Sequence, residues 1–162
     1  MPRISIKTIV KADKKIVFDL SRSIDLHLIS TAHTNERAIA GKTEGLINLN
    51  ESVTWEAKHL GFKQHLTSKV TELESPNYFV DEMEKGAFKR FRHEHIFSDS
   101  SGWTIMQDEF DYTSPIGFLG KIADYLFLKK YMTRLLKKRN MIIKDFAESD
   151  KWKEVLKKKY VS

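Results

Sequence analysis

The segment from Asp81 to Pro115, DEMEKGAFKRFRHEHIFSDSSGWTIMQDEFDYTSP, constrains this chain more than any other. Two runs of alternating residues are joined by a polar turn with a glycine, Ser98 to Gly102. Side chains alternate between the two sides of a strand. The first run therefore puts Phe91, His93, His95 and Phe97 on one face, and the second puts Thr104, Met106, Asp108, Phe110 and Tyr112 on one face. A face that mixes aromatics, two imidazoles and a carboxylate is not an ordinary core. It is the wall of a semi-polar ligand cavity. It is not a catalytic signature, and it names no substrate.

The rest of the chain supplies a frame for that hairpin. Residues 3 to 10, RISIKTIV, alternate Ile4, Ile6 and Thr8 against Ser5, Lys7 and Ile9, which predicts a half-buried strand. Asp13 and Ser23 are N-cap residues for two short helices, carrying Ile16, Val17 and Leu20, then Leu26 and Ile29. From Glu36 the period becomes two. Val53, Trp55 and Ala57 share a face, then Gln64, Leu66, Ser68 and Val70, then Phe79, Asp81 and Met83. The turns at Leu60-Gly61, Ser75-Pro76-Asn77, Lys85-Gly86 and Ser98–Gly102 come at spacings of about ten residues, which is the mark of an antiparallel meander. From Phe118 to about Glu148 the spacing is helical, through Leu119, Ile122, Leu126, Tyr131, Leu135, Ile142 and Phe146.

The expected fold class is α+β: a strand, two small helices, about six more strands and one long helix. So large a sheet must curve, and its apolar face needs cover from the long C-terminal helix. Residues 1–148 are expected to form a single ligand-binding domain. Residues 149–162 read as a basic C-terminal tail with Trp152, Val155 and Leu156 as anchors.

Charge and composition narrow the function. The net charge is +6, but residues 121 to 162 hold thirteen Lys or Arg against five Asp or Glu, an excess of +8 that leaves the rest at −2. The basicity belongs to the C-terminal segment and not to the cavity wall. A basic amphipathic helix can meet an anionic membrane surface. Here its apolar stripe is already required to cover the sheet. No aromatic platform interleaves with the basic residues, so no nucleic acid is expected as partner. The chain has no cysteine, which removes disulfides, thiolate chemistry and Cys-based zinc sites. No apolar run approaches the roughly 18 residues of a membrane helix. The opening MPRISIKTIV lacks the features of a secretory signal, so a cytoplasmic location is expected.

The order of elements and the residues of the hairpin resemble the START-like, birch-pollen-allergen-like helix-grip superfamily, also called SRPBCC or polyketide cyclase/dehydrase-like, over roughly residues 1 to 148. A bacterial ligand-binding branch is closer still. Its pattern reads here as Asp81, Gly86, Phe91, His93, His95, Phe97, Gly102, Asp108, Tyr112, Pro115 and Gly117, with Arg139 on the last helix. The chain departs from that pattern at Gly86-Ala87, where the branch often has Gly-Pro, and at Phe91, where it often has Trp. The resemblance implies a helix-grip fold, a curved antiparallel sheet wrapped around the C-terminal helix. It also implies a small hydrophobic ligand, and it leaves the chemistry open because this superfamily spans carriers, receptors and cyclases.

The residues expected at the ligand are Trp55, Phe79, Met83, Phe91, Phe97, Met106 and Phe110 for apolar area. Asp81, His93, His95, Asp108, Tyr112 and Arg139 are expected to supply polar contacts. If Phe97 pairs with Thr104 across the turn, His93 falls opposite Asp108 and the two form a hydrogen-bonded pair. That pair is the candidate acid/base for a cyclase- or hydratase-like enzyme, and equally a satisfied polar pair that sets strand register. Asp81 is expected to meet Arg139. His-x-His on a strand also points to metal, with Asp81, Asp108 or Gln64 as a third ligand. The cupin metal pattern, however, has a Glu a few residues on, where this chain has Ser98-Asp99-Ser100-Ser101. Neither a metal nor a cofactor is therefore expected. A third reading places the function in the basic C-terminal segment, as an interaction surface.

Overall fold

Alternation and turn chemistry build a seven-stranded antiparallel sheet in the computed structural model, which describes residues 2–114 and 127–160. The strands are β1 (Arg3–Val10), β2 (Arg37–Gly41), β3 (Ser52–His59), β4 (Phe62–Glu74), β5 (Tyr78–Lys85), β6 (Arg90–Ser100) and β7 (Trp103–Thr113). Their order in the sheet is β1-β7-β6-β5-β4-β3-β2, so β1 leaves the meander and closes against its last strand. Register shifts between Thr67 and Ser68 and between Val70 and Glu72 bend β4 against β5. Such bulges add curvature to a sheet. Two helices follow β1: α1 (Lys14–Ser21), capped by Asp13, and α2 (Ile24–Ser30), capped by Ser23. The long helix α3 (Lys129–Ala147) packs on β1, α1 and α2. The expected helix start at Phe118, and the positions Pro115 and Gly117, lie outside the described residues. No described helix is long and apolar enough to cross a membrane.

The β6–β7 hairpin corrects the expected register. Ser100 pairs with Trp103, and the loop is only Ser101-Gly102, both with positive φ (51° and 84°). That is the two-residue loop whose twist matches a tight hairpin. His95 therefore lies opposite Asp108, and His93 lies opposite Phe110. The shift from the expected pairing is two residues. An even shift leaves every side chain on its expected face. Phe91, His93, His95, Phe97, Thr104, Met106, Asp108, Phe110 and Tyr112 are all buried.

The core is apolar at both ends and polar between them. One apolar cluster holds Val10, Phe18, Phe79, Phe97, Met106 and Ile143. A second holds Ile4, Ile6, Phe91, Phe110, Tyr112 and Leu136. A third, under β3 and β4, holds Ile24, Ile47, Val53, Trp55 and Val70.

Beyond α3 the chain turns back through two short helices, α4 (Lys151–Val155) and α5 (Lys157–Tyr160). Leu156 is buried in the first cluster, with Trp152 and Val155 against it. Asp19, 1% exposed, accepts hydrogen bonds from Arg22, from Lys159 Nζ at 2.8 Å and from the Tyr160 hydroxyl. Burial pushes this carboxyl up. The bonds from Lys159, Tyr160 and Arg22 outweigh burial and hold it below its ordinary value of 3.8. A lowered folded pKa gives stability that is complete above the ordinary value and lost as pH falls through the lowered one. Asp19→Asn should destabilise the chain by about 3 kcal/mol, because it leaves the buried Arg22 without its carboxylate. It should also speed amide exchange across residues 151–160 at pH 7. Exchange there that is unchanged by the substitution would refute this role for Asp19.

Candidate functional site

Asp108 on β7 is the centre of a buried polar cluster and is fully enclosed. Its Oδ1 accepts from His93 Nε2 at 2.9 Å, His95 Nδ1 at 3.0 Å and Arg139 Nη1 at 3.3 Å. Its Oδ2 accepts from Asn140 Nδ2 at 2.6 Å. Both histidines come from β6, and period two aims them the same way; their rings lie 3.8 Å apart. Arg139 and Asn140 come from the middle of α3, which crosses this part of the sheet. Arg139 Nη2 also donates to the Ser21 carbonyl at 3.0 Å, which ties the end of α1 to the cluster.

Asp81 on β5 completes the group. Its Oδ1 lies 2.7 Å from His95 Nε2 and 3.9 Å from His93 Nδ1. The expected pairing of Asp81 with Arg139 is not made. The sheet order β7-β6-β5 puts His95 between them, so Arg139 reaches Asp108 and Asp81 reaches His95. Asp81, His93 and His95 each bring one ligand atom to within 4.8 Å of the others. Gln64 of β4, paired with Ala57 of β3, is not part of this group.

Both ring nitrogens of His95 meet carboxylate oxygens, and the Arg139 guanidinium answers part of the charge of Asp81 and Asp108. Burial pushes Asp108 up, but the bonds from His93 and His95 and the charge of Arg139 hold it well below the usual carboxylate range. Asp81 is also lowered: burial raises it, and the bond and charge of His95 outweigh that. Burial lowers His93 too, because it disfavours the charged imidazolium; the adjacent His95 reinforces this, and Asp108 and Asp81 offset it only in part. His93 is therefore neutral at pH 7.

A cavity of about 140 Å³ opens on this cluster. Asp81, His93, His95 and Arg139 form its polar end, and Trp55, Val70 and Phe79 are among its apolar walls. Phe79 stacks on His95 with ring centres 4.1 Å apart, and Trp55 stacks on His27 at 4.2 Å. Of the thirteen residues expected at a ligand, six line this cavity: Trp55, Phe79, Asp81, His93, His95 and Arg139. Asp108 stands behind the histidines. Phe91, Phe110 and Tyr112, with Met83 against them, fill one apolar cluster; Phe97 and Met106 fill the other. Sequence reasoning passed over Asn140, Ser68 and the Ser21–Ser23 joint between α1 and α2. Asn140 had a signal: it sits four residues after Leu136 and three before Ile143, on the buried stripe of α3.

No family model matches the chain, and no curated protein matches it. Solved structures match it over nearly their whole length. TTHA0849 of Thermus thermophilus is 17% identical with a TM-score of 0.70, covering 88% of this chain and 97% of its own. A START superfamily protein from Mycobacterium smegmatis is 11% identical with a TM-score of 0.68, covering 90% and 97%. The major latex-like protein 151 of Panax ginseng is 11% identical with a TM-score of 0.67, covering 91% and 98%. The chain has the START-like helix-grip fold, as its sequence led one to expect. At these identities the likeness carries the fold alone.

The cluster's energetics can be tested by removing one carboxylate at a time. Asp108→Asn should cost about 3 kcal/mol, because two imidazoles, a guanidinium and an amide lose the charge they share. Asp81→Asn, at a side chain 22% exposed and bonded to one ring, should cost about 1 kcal/mol. Urea unfolding of both variants gives the comparison. Equal costs, or the reverse order, would show that Asp108 is not the centre.

Proposed function

We propose that the chain binds a small, largely apolar molecule with one polar end in the cavity between sheet and α3. The observation that carries this reading is the pairing of an apolar cavity with a hydrogen-bonded polar cluster at one end. Apolar walls supply area removed from water, and a few fixed polar groups set orientation. The helix-grip fold, with its sheet curved over one helix, supports the same reading.

Volume limits the ligand. A cavity of roughly 150 Å³ takes a molecule the size of benzene, and pockets for drug-sized ligands run from roughly 300 to 1,000 Å³. At about 140 Å³ the cavity suits a single ring or a short chain with a hydroxyl or amide, not a sterol. Asp81 accepts from such a group, and the free Nδ1 side of His93 accepts as well when Nε2–H donates to Asp108.

One observation favours a second reading, a cyclase- or hydratase-like enzyme. His93 is neutral, and Asp108 holds one of its nitrogens, which is how a general base is oriented. His93→Ala separates the two readings. It should abolish turnover in an enzyme and only weaken binding in a carrier.

Native mass spectrometry of freshly purified protein, compared with the denatured sample, should show an adduct of roughly 100–200 daltons that is lost on denaturation. Ser68→Leu fills the cavity from β4 and should reduce adduct occupancy at least about tenfold, with stability changed by less than about 1 kcal/mol. Full occupancy in a folded Ser68→Leu protein would place the ligand elsewhere.

A further inference from the structure

The hydrogen bonds around His93 and His95 do more than satisfy buried groups. Each ring gives one nitrogen to the same oxygen of Asp108, His93 through Nε2 at 2.9 Å and His95 through Nδ1 at 3.0 Å. The opposite nitrogens, His93 Nδ1 and His95 Nε2, both turn to Asp81 Oδ1, at 3.9 and 2.7 Å. A carboxylate behind each imidazole, with the opposite ring nitrogens converging in front on a further carboxylate, is the layout of a metal site with its outer shell already in place.

We infer that Asp81, His93 and His95 form a binding site for a divalent first-row transition-metal ion whose remaining coordination positions face the cavity. Two imidazole nitrogens and one carboxylate oxygen suit zinc, iron, cobalt or nickel rather than calcium or magnesium. Bonds of about 2.1 Å at tetrahedral angles put donor atoms about 3.4 Å apart. The observed 2.7 and 3.9 Å straddle that spacing, so small side-chain rotations suffice. Asp81 and Asp108 against Arg139 leave a net −1 for the ion to meet. All three ligand residues line the cavity, so an incoming molecule can complete the coordination. The site does not depend on an organic ligand being bound.

Zinc is the probe. Long-range proton–nitrogen spectra of the ¹⁵N-labelled wild-type chain at one equivalent of Zn²⁺ read all six imidazoles at once. The ring nitrogens of both His93 and His95 should shift, most at Nδ1 and Nε2 respectively. No histidine shift, a shift in only one of these two rings, or shifts confined to His27, His33, His59 and His65 would overturn the assignment. Asp81→Ala should weaken zinc binding at least about tenfold, and His65→Ala, on the exposed side of β4, should leave it unchanged. Unchanged zinc affinity in Asp81→Ala also overturns it. Zinc binding without any organic adduct would sink the carrier reading and leave this site standing; an adduct without a zinc response would do the reverse.

Discussion

Asp108 decides how the halves of this core can meet. A carboxylate with no exposure is tolerable only when its oxygens are fully used and its charge is answered. Here four donors from two elements converge on it. Those donors add side-chain ties between β6 and β7, whose register the turn sets, and hold α3 over the sheet. Arg139 carries the tie on to α1 through the Ser21 carbonyl. At this level polar residues meet from five elements: Thr8 in β1, Asp108 in β7, His93 and His95 in β6, Asp81 in β5, and Arg139 with Asn140 in α3. Above and below that level the same elements turn apolar, through Phe97, Met106 and Ile143 on one side and Phe91, Phe110 and Leu136 on the other.

That layering explains what could be read from the sequence. Face assignment depends only on parity, and parity survives any even error in register. Every residue of β6 and β7 expected to point inward does so, although the pairing is displaced by two residues. The displacement came from the turn. Ser98–Gly102 reads as a five-residue turn, but Gly102 and the left-handed Ser101 let the strands run on to Ser100 and Trp103. Pair geometry needs the turn's dihedrals, which composition does not supply. The His93–Asp108 contact forms nonetheless, because a diagonal neighbour in an antiparallel pair stays within reach of long side chains.

Placement across the sheet was the harder problem. Asp81 and Arg139 looked like partners because one is an acid on an apolar face and the other a base on the covering helix. Their separation is set by strand order, with β6 lying between β5 and β7. Cavity volume was beyond sequence as well. It depends on how far Trp55, Phe79 and Leu136 close over the space, and a single rotamer can change that. The result is a small chamber and not the long tunnel that a curved sheet over a helix could have enclosed.

The cluster costs more than an apolar core of the same shape would. Exchanging buried ion pairs for well-packed apolar side chains is often neutral or stabilising. Leucine or phenylalanine at these positions would join the two apolar clusters into one. Register does not require the charges either, since the two-residue turn already sets it. What the charges supply is a pair of imidazoles held in fixed orientation, with their outer nitrogens and one carboxylate turned to a mostly apolar space. Rigidity of this kind is of little use to a solvent-filled surface and of direct use to something bound there, because orientation is then settled before the ligand arrives. Asp81, His93, His95 and Arg139, which weaken the core as packing, are thus the residues that give the cavity a direction.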